Sequence, residues 1–147
     1  MTERFIWQNK DVEMPPLDYA LVEKWITEVA ATHQKMVSGL SYIFCDDEYI
    51  LDVNRQFLNH DYYTDIITFD YCRGKMLRGD MVISLDTVAT NAQAVGQDPR
   101  RELLRVIIHG VLHLCGINDK GPGEREIMET NEDKALALID IDSVFMQ

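Results

Sequence analysis

Between Leu103 and Leu114 the chain carries Leu103, Leu104, Val106, Ile107, Ile108, Val111, Leu112 and Leu114, apolar on nearly every side of a helix. A helix that is hydrophobic all round has to be covered by other elements, so the rest of the chain must wrap this one. Both of its ends are marked. Asp98 offers an oxygen to an orphan amide, and Pro99 at the first helical position loses no hydrogen bond. Gly116 closes the other end, because glycine accepts a left-handed conformation past the last turn.

The surrounding sequence predicts both kinds of element. After Met14, Pro15 and Pro16, the stretch Leu17 to Val37 places Leu21, Trp25 and Val29 at helical spacing, a helix with one buried face that Gly39 ends. Leu40 to Cys45 alternates as a strand. Asp46 caps a helix running through Ile50, Leu51, Phe57 and Leu58, before a polar loop from Asn59 to Asp65. Two strands, Ile66 to Tyr71 and Asp80 to Leu85, flank a segment whose Gly74 and Gly79 suit a hairpin or a wider loop. Asp86 caps a short helix that Gly96 terminates, and a final helix runs from about Gly123 to Ile141. No internal repeat, low-complexity tract or Gly/Ser linker interrupts this order. The expectation is one α+β domain over residues 1–147, a small mixed sheet of about four strands packed with about five helices around the central apolar one.

Composition narrows the function classes. A net charge of -11 disfavours general adhesion to nucleic acid or anionic membranes, so any polyanion binding must be local. Cys45, Cys72 and Cys115 contain no CxxC pair, which argues against a disulfide framework and a cysteine zinc knuckle. No apolar run approaches the ~20 residues of a membrane span, and the opening MTERFIWQNK is too polar for a secretory signal. A cytoplasmic, reduced, unprocessed chain without a membrane partner is expected.

The chemistry concentrates on the apolar helix. His109 and His113 are four residues apart, about 400° of rotation, so both imidazoles leave the same face. That is the spacing with which a helix offers two nitrogens to one tetrahedral zinc, although two histidines hydrogen-bonded to backbone satisfy the same pattern. Gly116 lies three residues beyond His113 and Asp119 three beyond that, so the chain can reverse and return a carboxylate to the imidazoles. Three protein ligands leave a fourth zinc position open to water, the arrangement of hydrolytic sites. The expectation is one Zn(2+) per chain on His109, His113 and Asp119. Asn118 offers a carbonyl oxygen instead, a poorer zinc ligand at a less favourable spacing. The extended metalloprotease motif has the same spacing, but the glutamate it places after the first histidine is here Gly110, so a peptidase lacks its general base.

HGVLHLCGIND, together with Thr64-Asp65-Ile66-Ile67-Thr68-Phe69 and Gly79-Asp80-Met81-Val82-Ile83-Ser84, resembles the YbeY endoribonuclease family, in the same order along the chain. The resemblance runs from about Ile50 to Met128. It implies a zincin-like α+β domain and a metal-dependent, single-strand-specific endoribonuclease. It also implies maturation of ribosomal RNA, above all the 3′ end of the small-subunit RNA, and a part in ribosome quality control. His109 and His113 become zinc ligands, and Asp119 takes the place of the family's usual third histidine. Where the family usually carries an arginine near the scissile phosphate, just after the position of Phe57, this chain has Leu58. Arg55, His60 and Arg78 are the alternatives for that charge. Candidate RNA contacts are Arg73, Lys75 and Arg78 in one segment, Arg100 and Arg101 with Arg105 at the start of the metal helix, and Tyr62 and Tyr63 as stacking surfaces. The implied partners are single-stranded rRNA or pre-rRNA, the small ribosomal subunit and ribosomal proteins. The competing readings are a non-cleaving ribosome-assembly factor with a structural metal, and a metallopeptidase.

Overall fold

A computed structural model describes residues 4–59 and 64–146. Its elements are β1 (Phe5–Asn9), α1 (Tyr19–Thr32), β2 (Met36–Cys45), α2 (Asp47–Phe57), β3 (Ile66–Asp70), β4 (Met76–Ser84), α3 (Leu85–Val95), α4 (Pro99–Leu114), α5 (Glu124–Leu136) and α6 (Ile141–Val144). One mixed sheet has the order β1-β2-β4-β3, with β1 and β4 parallel to β2 and β3 antiparallel to β4. The fold is the expected α+β class.

The central helix lies where its sequence signals put it. Asp98 accepts a hydrogen bond from the Arg100 amide, Pro99 sits in the first turn, and ten of the residues of α4 are buried. Each fully buried Val, Leu or Ile contributes about 1.5–3 kcal/mol relative to exposure, so this helix anchors the core. Leu40, Tyr42 and Phe44 of β2, with Leu77, Met81 and Ile83 of β4, belong to the same apolar cluster as α1, α3 and α4. The Tyr42 hydroxyl crosses to α4 and donates to the Ile107 carbonyl at 3.0 Å. The alternate residues Cys45, Ile67 and Val82 form a smaller cluster with Ile50 and Val53 of α2. Helices therefore cover both faces of the sheet, as the period of two in its strands requires.

Several boundaries differ from expectation. α1 ends at Thr32, because Gln34 adopts φ 59 and the Lys35 amide donates back to the Ala30 carbonyl. Met36 and Val37 then pair with Met76 and Leu77, so Gly39 lies inside β2, at a register irregularity, instead of ending the helix. β1 is an edge strand absent from the sequence reading, and its Trp7 ring stacks on Tyr42 at 4.6 Å between centroids. Ser84, and not Asp86, caps α3 by accepting from the Thr87 amide, while Gly96 ends that helix at φ 65 as expected. The expected last helix divides into α5 and the single turn of α6. Among the described residues, no helix is long and apolar enough to cross a membrane.

Candidate metal centre

α4 delivers His109 and His113 from its last two turns, and a tight reversal supplies the third group. The Gly116 amide donates to the His113 carbonyl at 2.9 Å and the Ile117 amide to the Leu112 carbonyl at 3.1 Å, with Gly116 at φ 99. Side chains rarely adopt that conformation, which makes glycine the residue for this turn. The returning chain sets Asp119 Oδ2 3.3 Å from His109 Nε2 and 3.5 Å from His113 Nε2. One donor atom from each of the three residues lies within 4.8 Å of the others, a grouping that could hold a metal ion. Both spacings exceed the ~2.7–2.9 Å of a charge-assisted N–H···O bond. They match the edge of a tetrahedron of donors, about 3.3–3.4 Å when each donor stands ~2.0–2.1 Å from the ion. The donor set fits a small divalent cation.

The rings are fixed from behind. His109 Nδ1 meets Glu132 Oε2 at 2.6 Å, and the Glu132 side chain is only 3% exposed. The His113 ring hydrogen-bonds to the Ile117 backbone, and burial, followed by the neighbouring His109, lowers its pKa below the ordinary 6.5. The neutral imidazole that ligates metals is thereby favoured. Beneath His109, Arg105 Nη1 reaches Glu132 Oε2 at 3.1 Å while Nε and Nη2 clasp both oxygens of Glu102 at 2.9 and 2.5 Å. Its Nη2 also lies 3.8 Å from Asp65, whose carboxyl is pushed up by burial against the pull of Arg105.

Packing also explains Gly110. A Cβ there would come within 2.9 Å of Met81 Cγ and 3.0 Å of Ile66 Cδ1. The space a peptidase glutamate needs is filled by the sheet.

A cleft of about 460 Å³ opens over the two histidines and Asp119, bordered also by Asn54, Leu58, Thr64, Thr68, Asp70 and Lys120. Leu58 thus faces the cleft as an apolar group. Among the described residues, Arg55, Arg73, Lys75 and Arg78 do not border it. Arg78 projects from the exposed side of β4, and Arg73 and Lys75 belong to the turn between β3 and β4. Arg100 pairs with Asp98 at 3.0 Å and Asp142 at 3.1 Å, and Arg101 lies 3.6 Å from Asp133. These two stand about 12–14 Å along the helix axis from His109. Arg105 is enclosed by three carboxylates instead of facing a phosphate. His60, Tyr62 and Tyr63 lie outside the described residues.

Two residues of this site escaped the sequence reading. Among the described residues, Lys120 is the cation bordering the cleft, and its adjacency to Asp119 was the available signal. Glu132 had no local signal, because it meets His109 across 23 residues of sequence.

The family model described as Endoribonuclease YbeY matches residues 6–140. A protein named Endoribonuclease YbeY from Phocaeicola vulgatus is 62% identical over 135 residues, covering 92% of this chain and 98% of the relative. One of the same name from Bacteroides thetaiotaomicron is 61% identical over 132 residues, covering 90% and 96%. The solution structure of TM1509 from Thermotoga maritima has a TM-score of 0.63 at 23% identity, covering 90% of this chain and 86% of that one. That last likeness concerns the fold.

Proposed function

This chain belongs to the YbeY family of endoribonucleases, and on that premise we propose that it is a zinc-dependent enzyme that cuts single-stranded RNA. Its substrate in this reading is precursor ribosomal RNA at the 3′ end of the small-subunit RNA, and its setting is ribosome maturation and quality control in the cytoplasm. Residues 1–147 form one metallohydrolase domain, with the small ribosomal subunit and its basic proteins as partners.

The observation that carries the reading is the grouping of His109, His113 and Asp119 on an open cleft, with Asp119 at near tetrahedral-edge spacing from each histidine. These three residues would hold one ion, and three protein ligands would leave a position for water or substrate. A zinc ion bound there supplies Lewis acidity, making water more acidic and polarising a phosphoryl oxygen. Asp119 brings a negative charge where a histidine would bring none, which moderates that acidity. Lys120, beside it on the same cleft, faces the charge of the phosphoryl group. Leu58 offers no charge, so in this reading Lys120 supplies the cation.

The test uses a single-stranded RNA spanning the 3′ end of a small-subunit precursor, and the same RNA annealed into a duplex. Wild type should cut only the single strand, lose activity to a chelator and regain it with zinc, while His113→Ala should remain folded and inactive. Wild type that binds this RNA without cutting it, with metal bound, would overturn the proposal in favour of a non-cleaving assembly factor.

A further inference from the structure

His109 carries two polar contacts on opposite ring atoms, Nε2 toward Asp119 at 3.3 Å and Nδ1 toward Glu132 at 2.6 Å. A carboxylate at Nδ1 holds the ring proton there and leaves the Nε2 lone pair for an ion. Glu132 approaches from α5, an element that contributes none of the three donors. At 3% exposure an ionised glutamate is costly unless paired, and Arg105 Nη1, 3.1 Å from the same oxygen, provides the pairing. Glu102, itself 5% exposed, clasps the other edge of the guanidinium. The guanidinium is therefore fixed before it reaches Glu132, and Glu132 is fixed before it reaches His109. No buried polar side-chain atom among the described residues lacks a partner, so the chain of contacts is complete.

We propose that Glu132 is a positioning residue of the metal centre, fixing the tautomer and orientation of His109 and raising its basicity toward the ion, with Arg105 and Glu102 as its brace. The proposal rests on the reading that His109, His113 and Asp119 bind a metal. It explains why α4 carries the buried Glu102 and the clasped Arg105 among its apolar residues, and why α5 turns the buried Glu132 toward them. Such partners of ligating histidines commonly change metal affinity about 10–100-fold when removed.

The experiment compares wild type with Glu132→Ala and Glu132→Gln, each loaded with Co²⁺ or Zn²⁺. Affinity is read by competition with a chromophoric chelator, the ligand field by the visible cobalt spectrum, and folding by circular dichroism. Glu132→Ala should lose about 10–100-fold in zinc affinity and shift the cobalt bands, at unchanged metal specificity for the same three donors. Glu132→Gln keeps an oxygen that can accept from Nδ1–H and should fall between the two, so it carries the test if the alanine variant does not fold. A structural role alone would lower the melting temperature while leaving affinity and the cobalt spectrum of the folded protein at wild-type values, and that result overturns the proposal. Wild type that binds neither metal would overturn the proposed function as well, which separates the two failures.

Discussion

Lys120 lies next to Asp119 in sequence, borders the same cleft and makes no ion pair among the described residues. By contrast, Arg100, Arg101, Arg105 and Arg125 all meet carboxylates. A cation beside the proposed metal site is the group best placed to meet a phosphate, and its charge is worth most where water is partly displaced. Lys120→Ala should lower kcat/KM for RNA cleavage at least ~10-fold, about 1.4 kcal/mol in the barrier, with the zinc content unchanged. Lys120→Arg should retain most of the rate. Steady-state kinetics beside metal analysis checks both, and an alanine variant as fast as wild type would remove Lys120 from the mechanism.

At the scale of elements, α4 was legible in full because every signal for it is local: the Asp98 cap, Pro99, the apolar faces and Gly116. The two histidines and the returning aspartate were legible for the same reason. β1 was not, since its five residues are mostly exposed and its pairing with β2 is parallel and distant. The end of α1 was misplaced because the chain turns at Gln34, a residue whose left-handed conformation propensity does not announce. Glu132 was invisible because contacts between α4 and α5 are tertiary. The same tertiary packing decides what α4 tolerates. Gly110→Ala should gain ~1 kcal/mol of helix propensity, against about 1–3 kcal/mol for forcing a methyl against Met81 and Ile66. The expected net is destabilisation of up to about 2 kcal/mol, measured by urea unfolding. Added stability would show that the sheet can yield there.

For the whole molecule, a net charge of -11 disfavours general adhesion to RNA, so recognition has to be local. Charge also shapes the response to acid. Burial lowers the pKa of both His33 and His113 below the ordinary 6.5, so the unfolded chain takes up protons that the folded one refuses. Their contribution to stability is present above the unfolded value and is lost as pH falls through the folded one. Metal-free protein should therefore melt at progressively lower temperature as pH drops below about 6.5, which differential scanning calorimetry across that range checks. A flat profile would contradict the burial of these rings. Zinc binding should weaken over the same range, because protons compete for the ligands. The central claim, that His109, His113 and Asp119 form one metal site, is tested most directly by plasma mass spectrometry of purified wild type, His109→Ala and Asp119→Ala, each shown to be folded. The account predicts about one zinc per wild-type chain and little in either variant, as expected for a site with three protein ligands. Full zinc in Asp119→Ala, or none in wild type after reconstitution, would contradict it.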